Sequence, residues 1–445
     1  MPTYVTESAR RLPVYGAYDL VVAGGGPAGV AAAVSGARNG LKVLLLEQIG
    51  CLGGMSTGGL VPCLAPYSQG ATAPLIRGIA GEILSRLKAA GGNGEPGVEQ
   101  WPAIDAEKLK LIYDDLVNRA GVTTLFFTFV SAVLRERGRI RGLVIENKGG
   151  RQVVLGKAFV DATGDGDVAA RSGVRFVKGD SKGRMMGVTL CFTVAGIDPD
   201  GYRRWLRKFP DNVGKNRFLR EAVAAGRLPD WDDAEHRMIA DIALQPGYRA
   251  YNYGHVFNVD GTNPDDLARA MMRGREIAHS FMALARRYIP GMKNAVLTAT
   301  ALLPGVRETR RIRGVDALDE RLFRSGRITD DAIAVYDYPV DLHGSDKKAK
   351  TVLEEQPAGF LYGIPYRIMV PAGGPANLLV AGRCVSADRI GQSSVRTMPA
   401  CFAMGEAAGV AARFAVRQGV PFGAVDPAAL RQVLAKQGAN IPSVR

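Results

Sequence analysis

The sequence has little histidine, cysteine or tryptophan, and no long apolar run. Its four histidines, at 236, 255, 279 and 343, are scattered, with no H-x-x-x-H and no Cys/His cluster. A structural metal is therefore not expected. The five cysteines (51, 63, 191, 384 and 401) form no C-x-x-C pair and are odd in number, which argues against a disulfide framework. No stretch of about 18 uncharged apolar residues occurs, so no membrane span is expected. The N-terminal "MPTYVTESARRLPVYG" lacks the apolar core of a signal peptide, and a cytoplasmic location is the default expectation. Missing too is any Lys/Arg block interleaved with aromatics. The formal charge is +14, but 57 basic residues are dispersed among 43 acidic ones. Nucleic acid is thus not an expected partner. The charge reads either as a basic surface or as a field that draws in an anionic small molecule. At 445 residues the chain can bury a large core and is expected to form two domains.

What is present begins with "AGGGPAGVAAAVSGARNGLKVLLLE", Ala23 to Glu47. It contains G-x-G-x-x-G at Gly24, Gly26 and Gly29. The pattern alone proves little, because Gly92-Asn93-Gly94-Glu95-Pro96-Gly97 also fits it, with no strand before it and no helix after. The first match has the right surroundings. "YDLVVA" reads as a buried strand. Pro27 to Asn39 is Ala-rich and helical, with Gly40 placed to stop it. "LKVLLLE" reads as a second buried strand, ending in Glu47. Gly24 permits the turn, Gly26 lets a pyrophosphate approach the backbone, and Gly29 lets helix and strand pack closely. Pro27 and Ala28 open a helix whose N-terminus offers N–H groups to phosphate. An ordinary βαβ unit without ligand is the alternative.

Further along, a Gly-rich loop, "GCLGGMSTGGL", follows the second strand. Helices are expected over 76–90 and after Asp105, which serves as N-cap, up to Gly121. Residues 122–156 read as three strands with turns at "ERGR" and "NKGG", and "KAFVDATG" as a further buried strand. In the middle, "NPDDLARAMMRGREIAHSFMALARRYIPG" reads as one helix capped by Asn263. Its buried stripe is Leu267, Met271, Gly274, Ala278, Phe281 and Ala285, with His279 solvated. "NLLVAGR" is a buried strand, and "MPACFAMGEAAGVAARFAVRQG" a small-residue helix.

The order "VVAGGGPAG…LLLE", "FVDATGDGD", "NLLVAGR…MGEAAGVAA" resembles the FAD-dependent oxidoreductases of the glutathione-reductase-type fold. "LGGMSTGG", "DATGDGDVAARSG", "GVRETRRIRG", "YPVDLHG" and "RTMPACFAMGEAAGVAA" resemble a bacterial group related in architecture to fumarate reductase and succinate dehydrogenase flavoproteins. The resemblance covers about residues 17–420. It implies an α/β fold: a Rossmann-like FAD-binding domain, with a parallel sheet and a β-meander, in two parts at 15–190 and 350–445, and an inserted α+β substrate or cap domain at 191–349. It also implies that Glu47 binds the adenosine ribose, and that Gly54, Met55, Ser56, Gly164, Asp165, Gly382 and Arg383 meet the cofactor. The helix starting near Pro399 and Ala400 would aim its N-terminus at the flavin. Relatives with covalent FAD attach it through a histidine near the Gly-rich loop. Gly53-Gly54-Met55-Ser56-Thr57 has none, so noncovalent FAD is expected. With one fingerprint in proper context, the electron donor or acceptor is not expected to be a nicotinamide held in its own domain; its identity is left open, as is the oligomeric state.

For catalysis, "GVRETRRIRG" supplies Arg307, Arg310, Arg311 and Arg313. Arginine binds carboxylates bidentately, and in fumarate-reductase-like enzymes it also delivers protons. Arg307 is the first candidate, with Arg310 in the substrate pocket; a solvated loop is the alternative. His343, Arg389 and Arg396 are further catalytic candidates. Ser394-Val395-Arg396-Thr397 departs from the Gly-Asn-Ser-Leu-like stretch of fumarate reductases, which weakens the case for fumarate itself. Tyr362 and Tyr366 either line the substrate pocket or pack beneath it. The expected reaction is hydride transfer between flavin N5 and a small anionic substrate. A flavin monooxygenase is the alternative, since "GDGDVAARSG" resembles a segment of aromatic hydroxylases. A noncatalytic flavoprotein or nucleic-acid-binding protein is the third reading.

Overall fold

The computed structural model describes residues 5, 7–68, 73–92, 101–229, 240–346, 351–441 and 443. Most of the second glycine pattern, from residue 93 on, lies outside them. The first pattern sits where the sequence puts it. Strand β1 (Val14–Ala23) enters the glycine turn, helix α1 (Pro27–Arg38) leaves it, and β2 (Val43–Leu46) pairs parallel to β1 with Leu20 opposite Val43 and Ala23 opposite Leu46. All four β2 residues and the last four of β1 are buried, as a strand covered on both faces requires. Helix α2 (Ile79–Ala89) begins three residues later than expected; α3 (Ala106–Ala120) starts on the Asp105 cap, whose carboxylate accepts from the Glu107 and Lys108 amides, and ends at Gly121 with φ 75°.

Strand β3 (Thr123–Leu125) adds to β2 in parallel. Then β4 (Phe129–Glu136) and β5 (Arg139–Asn147) form a hairpin through Arg137 and Gly138, both at positive φ. The third run and "KAFVDATG" are one strand rather than two, β6 (Gly150–Asp161). Gly156 does not break it; a Cβ there would lie 2.7 Å from the Phe159 ring, so the glycine accommodates packing. Along one side β6 pairs parallel with β1. On the other it pairs first with β5 and then, from Phe159 to Asp161, in parallel with Leu378–Val380. One long strand thus carries both the meander and the parallel sheet.

The small-residue helix Met398–Gln418 lies against α1. Gly405 and Gly409 make this possible: a Cβ on Gly405 would sit 2.1 Å from the Ala28 carbonyl oxygen, and one on Gly409 2.5 Å from the Gly36 nitrogen. Such backbone contact admits no side chain.

A second core gathers buried residues from Val188 to Val306 around a four-stranded antiparallel sheet. The helix Pro264–Tyr288 covers it, burying Gly274, Ala278, Phe281 and Ala285 of the expected stripe while Leu267 and Met271 are half-buried and His279 is exposed. Phe192, Tyr251, Tyr253 and Phe281 stack in its centre. Most buried residues from Ile312 to Val370 pack instead into the first core, while Ile328, Ala332 and Val335 form a small cluster of their own. No described helix is long and apolar enough to cross a membrane.

Candidate functional site

The carboxyl ends of the parallel strands open onto one cleft. Gly24 after β1, Leu46 and Glu47 at the end of β2, Ala162 after β6, and Ala381 after Leu378–Val380 all line it. This is where open parallel sheets bind ligands. Helix α1 points its N-terminus at the cleft. Gly26 is the N-cap, no side chain caps the helix, and no acidic residue lies in its first turn. A Cβ built on Gly26 meets nothing within 4 Å, so nothing in the protein itself calls for glycine there. The open space lies beside bare helix amides, which suits a pyrophosphate. At Gly24 the reason is internal: φ is +96° and a Cβ would lie 2.5 Å from the Ala162 carbonyl oxygen. The helix Met398–Gln418 likewise starts without a side-chain cap, and its Met398 and Cys401 line the cleft.

Pro27, Ala28, Gly54, Met55, Gly164, Asp165, Gly382, Arg383 and Arg396 also line it. Glu47 is buried; its carboxylate accepts from the Gly25 amide at 2.7 Å and the Ile49 amide at 3.0 Å. Burial pushes its pKa up against those two donors. Asp165 accepts from Thr309 Oγ1 and from Arg383 Nη2, at 2.7 and 2.8 Å. Behind it Asp161 is wholly buried, its carboxyl pushed up to about 6 by burial while Ala169 and Thr163 donate to it.

Several expected site residues are not in the lining. Gly29 packs on the Gly24 carbonyl, and Ser56 bonds Tyr113 and the Gly53 carbonyl. Pro399 and Ala400 are buried between the lining Met398 and Cys401. The pocket tyrosines need correcting. Tyr362 and Tyr366 are core residues, with hydroxyls bonded to Ser394 Oγ (2.7 Å) and the Phe422 carbonyl (2.9 Å). Nor does Arg310 face the cleft: it holds the Asp165 carbonyl and Asp167. Arg389 is tied to Glu308 and Ser345, and Arg311 shares Glu308 with it.

The other candidates, Arg307, His343 and Arg396, come together, and of the three only Arg396 lines the cleft. Arg307 is buried, not a solvated loop residue. Its guanidinium donates to the Gly187 carbonyl at 2.6 Å and to the Thr189 hydroxyl at 3.2 Å, neutral partners both. Burial, then the nearby Arg396, pushes it down to about 10, so it is charged at neutral pH. Arg396 Nη2 donates to Asp341 Oδ2 and to its carbonyl, each at 2.9 Å. His343 is 3.3 Å from Asp341 and 3.0 Å from His255. Burial would raise Asp341, but His343 and Arg396 hold it well below the usual carboxylate range. Burial, then Arg307, pushes His343 down to about 4 despite Asp341. Sequence reasoning missed Asp341, and ranked His255 low, because nothing local marks them. It also missed Thr128, Phe129 and Val130 at the head of β4, which line the cleft. Among the described residues no group of three metal-ligating side chains forms.

With this geometry in view, comparison with known proteins is direct. A family model described as FAD dependent oxidoreductase matches residues 19–434. The thiamine thiazole synthase of Methanococcus aeolicus is 32% identical over 160 residues, 34% of this chain and 57% of that protein. In Escherichia coli, YgcN, described as a probable electron transfer flavoprotein-quinone oxidoreductase, is 31% identical over 163 residues, 34% of this chain and 37% of its own. The matches thus span only part of either relative. Among solved structures, a geranylgeranyl bacteriochlorophyll reductase-like protein from Thermoplasma acidophilum aligns with 95% of this chain and 83% of its own, at 14% identity and TM-score 0.48.

Proposed function

The chain belongs to the FAD dependent oxidoreductase family, and from that premise we propose that it transfers a hydride between the flavin and a carbon of a small anionic substrate, in dehydrogenation or ene reduction. FAD is its cofactor, and the cleft fits it: the open space over Gly26 and the bare N-terminus of α1 would take the pyrophosphate, and Glu47 the ribose. When bound, FAD supplies a two-electron hydride acceptor or donor. The residues of this chain do the rest. Met398 and Cys401 bring the N-terminal end of their helix to the cleft, where a positive dipole end favours negative charge.

One observation carries the anionic substrate. Arg307 is a buried cation whose own partners are a carbonyl and a hydroxyl, and the carboxylate nearest in effect, Asp341, is already engaged by Arg396 and His343. A buried charge without a matched partner is costly. A substrate carboxylate would supply that partner in bidentate form. Arg307 then binds and orients, and Arg396, at the cleft wall, steadies the same charge. His343, with both ring nitrogens engaged, acts through Asp341 rather than on the substrate.

The relation to fumarate reductase and succinate dehydrogenase flavoproteins, on a glutathione-reductase-type fold, belongs to the same reading and rests on motif order. So does noncovalent FAD. No histidine lies in Gly53–Thr57, and burial pushes the thiols of Cys51 and Cys63 up, the latter to about 12. The yellow colour should leave the protein on acid precipitation. A cytoplasmic setting, with all five cysteines free, completes the reading.

The experiment is anaerobic mixing of the oxidised holoenzyme with carboxylates, hydroxy acids, sugars and aromatic acids. Bleaching by an anionic compound alone is the expected result. Bleaching only by NAD(P)H, followed by oxygen-dependent hydroxylation, would replace this reading with a monooxygenase.

A further inference from the structure

His255 and His343 come from different parts of the chain. His255 follows the strand Tyr248–Asn252, beside the second core; His343 follows the strand Val340–Leu342. Both are buried, and His255 Nε2 lies 3.0 Å from His343 Nδ1. The other nitrogen of His343, Nε2, lies 3.3 Å from Asp341 Oδ1, and Asp341 Oδ2 accepts from Arg396 at 2.9 Å. A chain of four side chains therefore ends at the cleft wall.

The direction of its hydrogen bonds can be worked out. An ionised carboxylate can only accept, and with Asp341 Oδ1 3.3 Å from His343 Nε2 this favours a hydrogen on that nitrogen. A neutral imidazole protonated at Nε2 has a lone pair at Nδ1. His255 Nε2–H must be the donor to that lone pair. Adding a proton to His343 Nδ1 would set two N–H groups face to face unless His255 changed tautomer.

We propose that His255 is a positioning residue: its Nε2–H locks His343 in the neutral, Nε2-protonated tautomer and so reserves Asp341 as the ionised partner of Arg396. Facing His343 and Asp341 are Arg307, Arg396, Tyr338 (3.4 Å from Asp341) and His255, which itself stacks on Phe257. A second charge on His343 would compete with Arg396 for Asp341 and loosen the cleft wall. With the lock in place, Asp341 answers Arg396, and the charge of Arg307 is left for the ligand. The inference rests on the functional reading only in this last step; the tautomer does not depend on any substrate.

The test is nitrogen NMR of the holoenzyme labelled with 15N-histidine. Only four histidines are present, so His343→Gln and His255→Gln assign the signals. The wild type should show His343 protonated at Nε2, bare at Nδ1, and titrating only near pH 4. His255→Phe keeps a ring against Phe257 but has no donor. There the His343 midpoint should rise above the wild-type one, with burial and Arg307 still holding it below its ordinary value, and the acid limb of flavin reduction by substrate should rise with it. His255→Gln still donates and should restore the low midpoint, which a purely structural role would not explain. A His343 protonated at Nδ1 in the wild type overturns the proposal without any variant. So does a midpoint unmoved in His255→Phe, or one moved equally in His255→Gln. A correct tautomer with no anionic compound able to bleach the flavin would support the lock and sink the hydride-transfer reading instead.

Discussion

The side of the cleft proposed for phosphate is made from backbone, and the arginine side from side chains. On the first, the groups that matter are amides at the start of α1, exposed because Gly26 has no Cβ. They come from six contiguous residues, and their geometry follows from one strand, one turn and one helix. On the second, Arg307, Asp341, His343, Arg396 and His255 come from four separate stretches. They meet only because both cores form and pack together. Charge behaves differently too. A helix N-terminus is a fixed partial charge that needs no partner. The arginine side holds full charges in a buried place, where each must be matched or left for a ligand.

The largest effect is expected at the glycines. Gly26→Val should keep the fold, because φ is −69° and the added atoms meet only open space. It should lose FAD affinity by a hundredfold or more (about 3 kcal/mol). Gly29→Ala is the control. Its Cβ would lie 1.7 Å from the Gly24 carbonyl oxygen, so fold and FAD should go together. Thermal melts and flavin absorbance of the two purified proteins separate the cases. Full FAD occupancy in Gly26→Val would mean that the open space serves something other than the pyrophosphate.

Arg307 tests the other side, with a smaller effect. Removing a charge-assisted bidentate contact costs about 1.5–3 kcal/mol, roughly tenfold to over a hundredfold in kcat/KM. Arg307→Ala should show that loss with FAD content unchanged, and Arg307→Lys a lesser one, since it keeps charge and loses the planar fork. A pure binding role raises KM and spares kcat. If Arg307 serves only to tie the Gly187 carbonyl and Thr189, both variants lose thermal stability and FAD together, and the residue leaves the site.

How much of this was legible in the sequence follows the same division. The glycine turn, both flanking strands and the capped helices were readable because each is encoded by neighbours in sequence. Gly156 sits inside β6, and only the fold reveals Phe159 filling the space beside it. For Tyr362 and Tyr366 the sequence left two placements open, lining the pocket or packing beneath it. A tyrosine near a proposed pocket looks functional until its hydroxyl is found bonded within the core. Arg307 was singled out because it follows the tight "PGV" turn, but its burial, which gives it meaning, is a tertiary fact. Asp341 sat unremarked in "YPVDLHG", two residues before the histidine that drew attention.

Glu406 is where the comparison is finest, because it lies in a stretch read as a cofactor signature, "MGEAAGVAA", yet does not line the cleft. Its carboxylate accepts from the Ile79 amide at 3.0 Å, at the start of α2. A helix N-terminus favours a carboxylate, but burial wins and, with Glu82 nearby, pushes the group up to about 7 against Ile79 and Arg38. The sign follows from linkage: the folded protein holds this proton more tightly than the unfolded chain, whose value is near 4.5. The contribution to stability is complete below that value and is lost as pH rises through about 7. Glu406→Gln keeps an oxygen for the Ile79 amide and removes the charge. It should melt a few degrees higher than the wild type at about pH 8, the gap closing toward about pH 5, with FAD content equal in both. A variant that lost FAD at either pH would move Glu406 from packing to cofactor binding, and extend the phosphate side of the cleft from backbone to side chain.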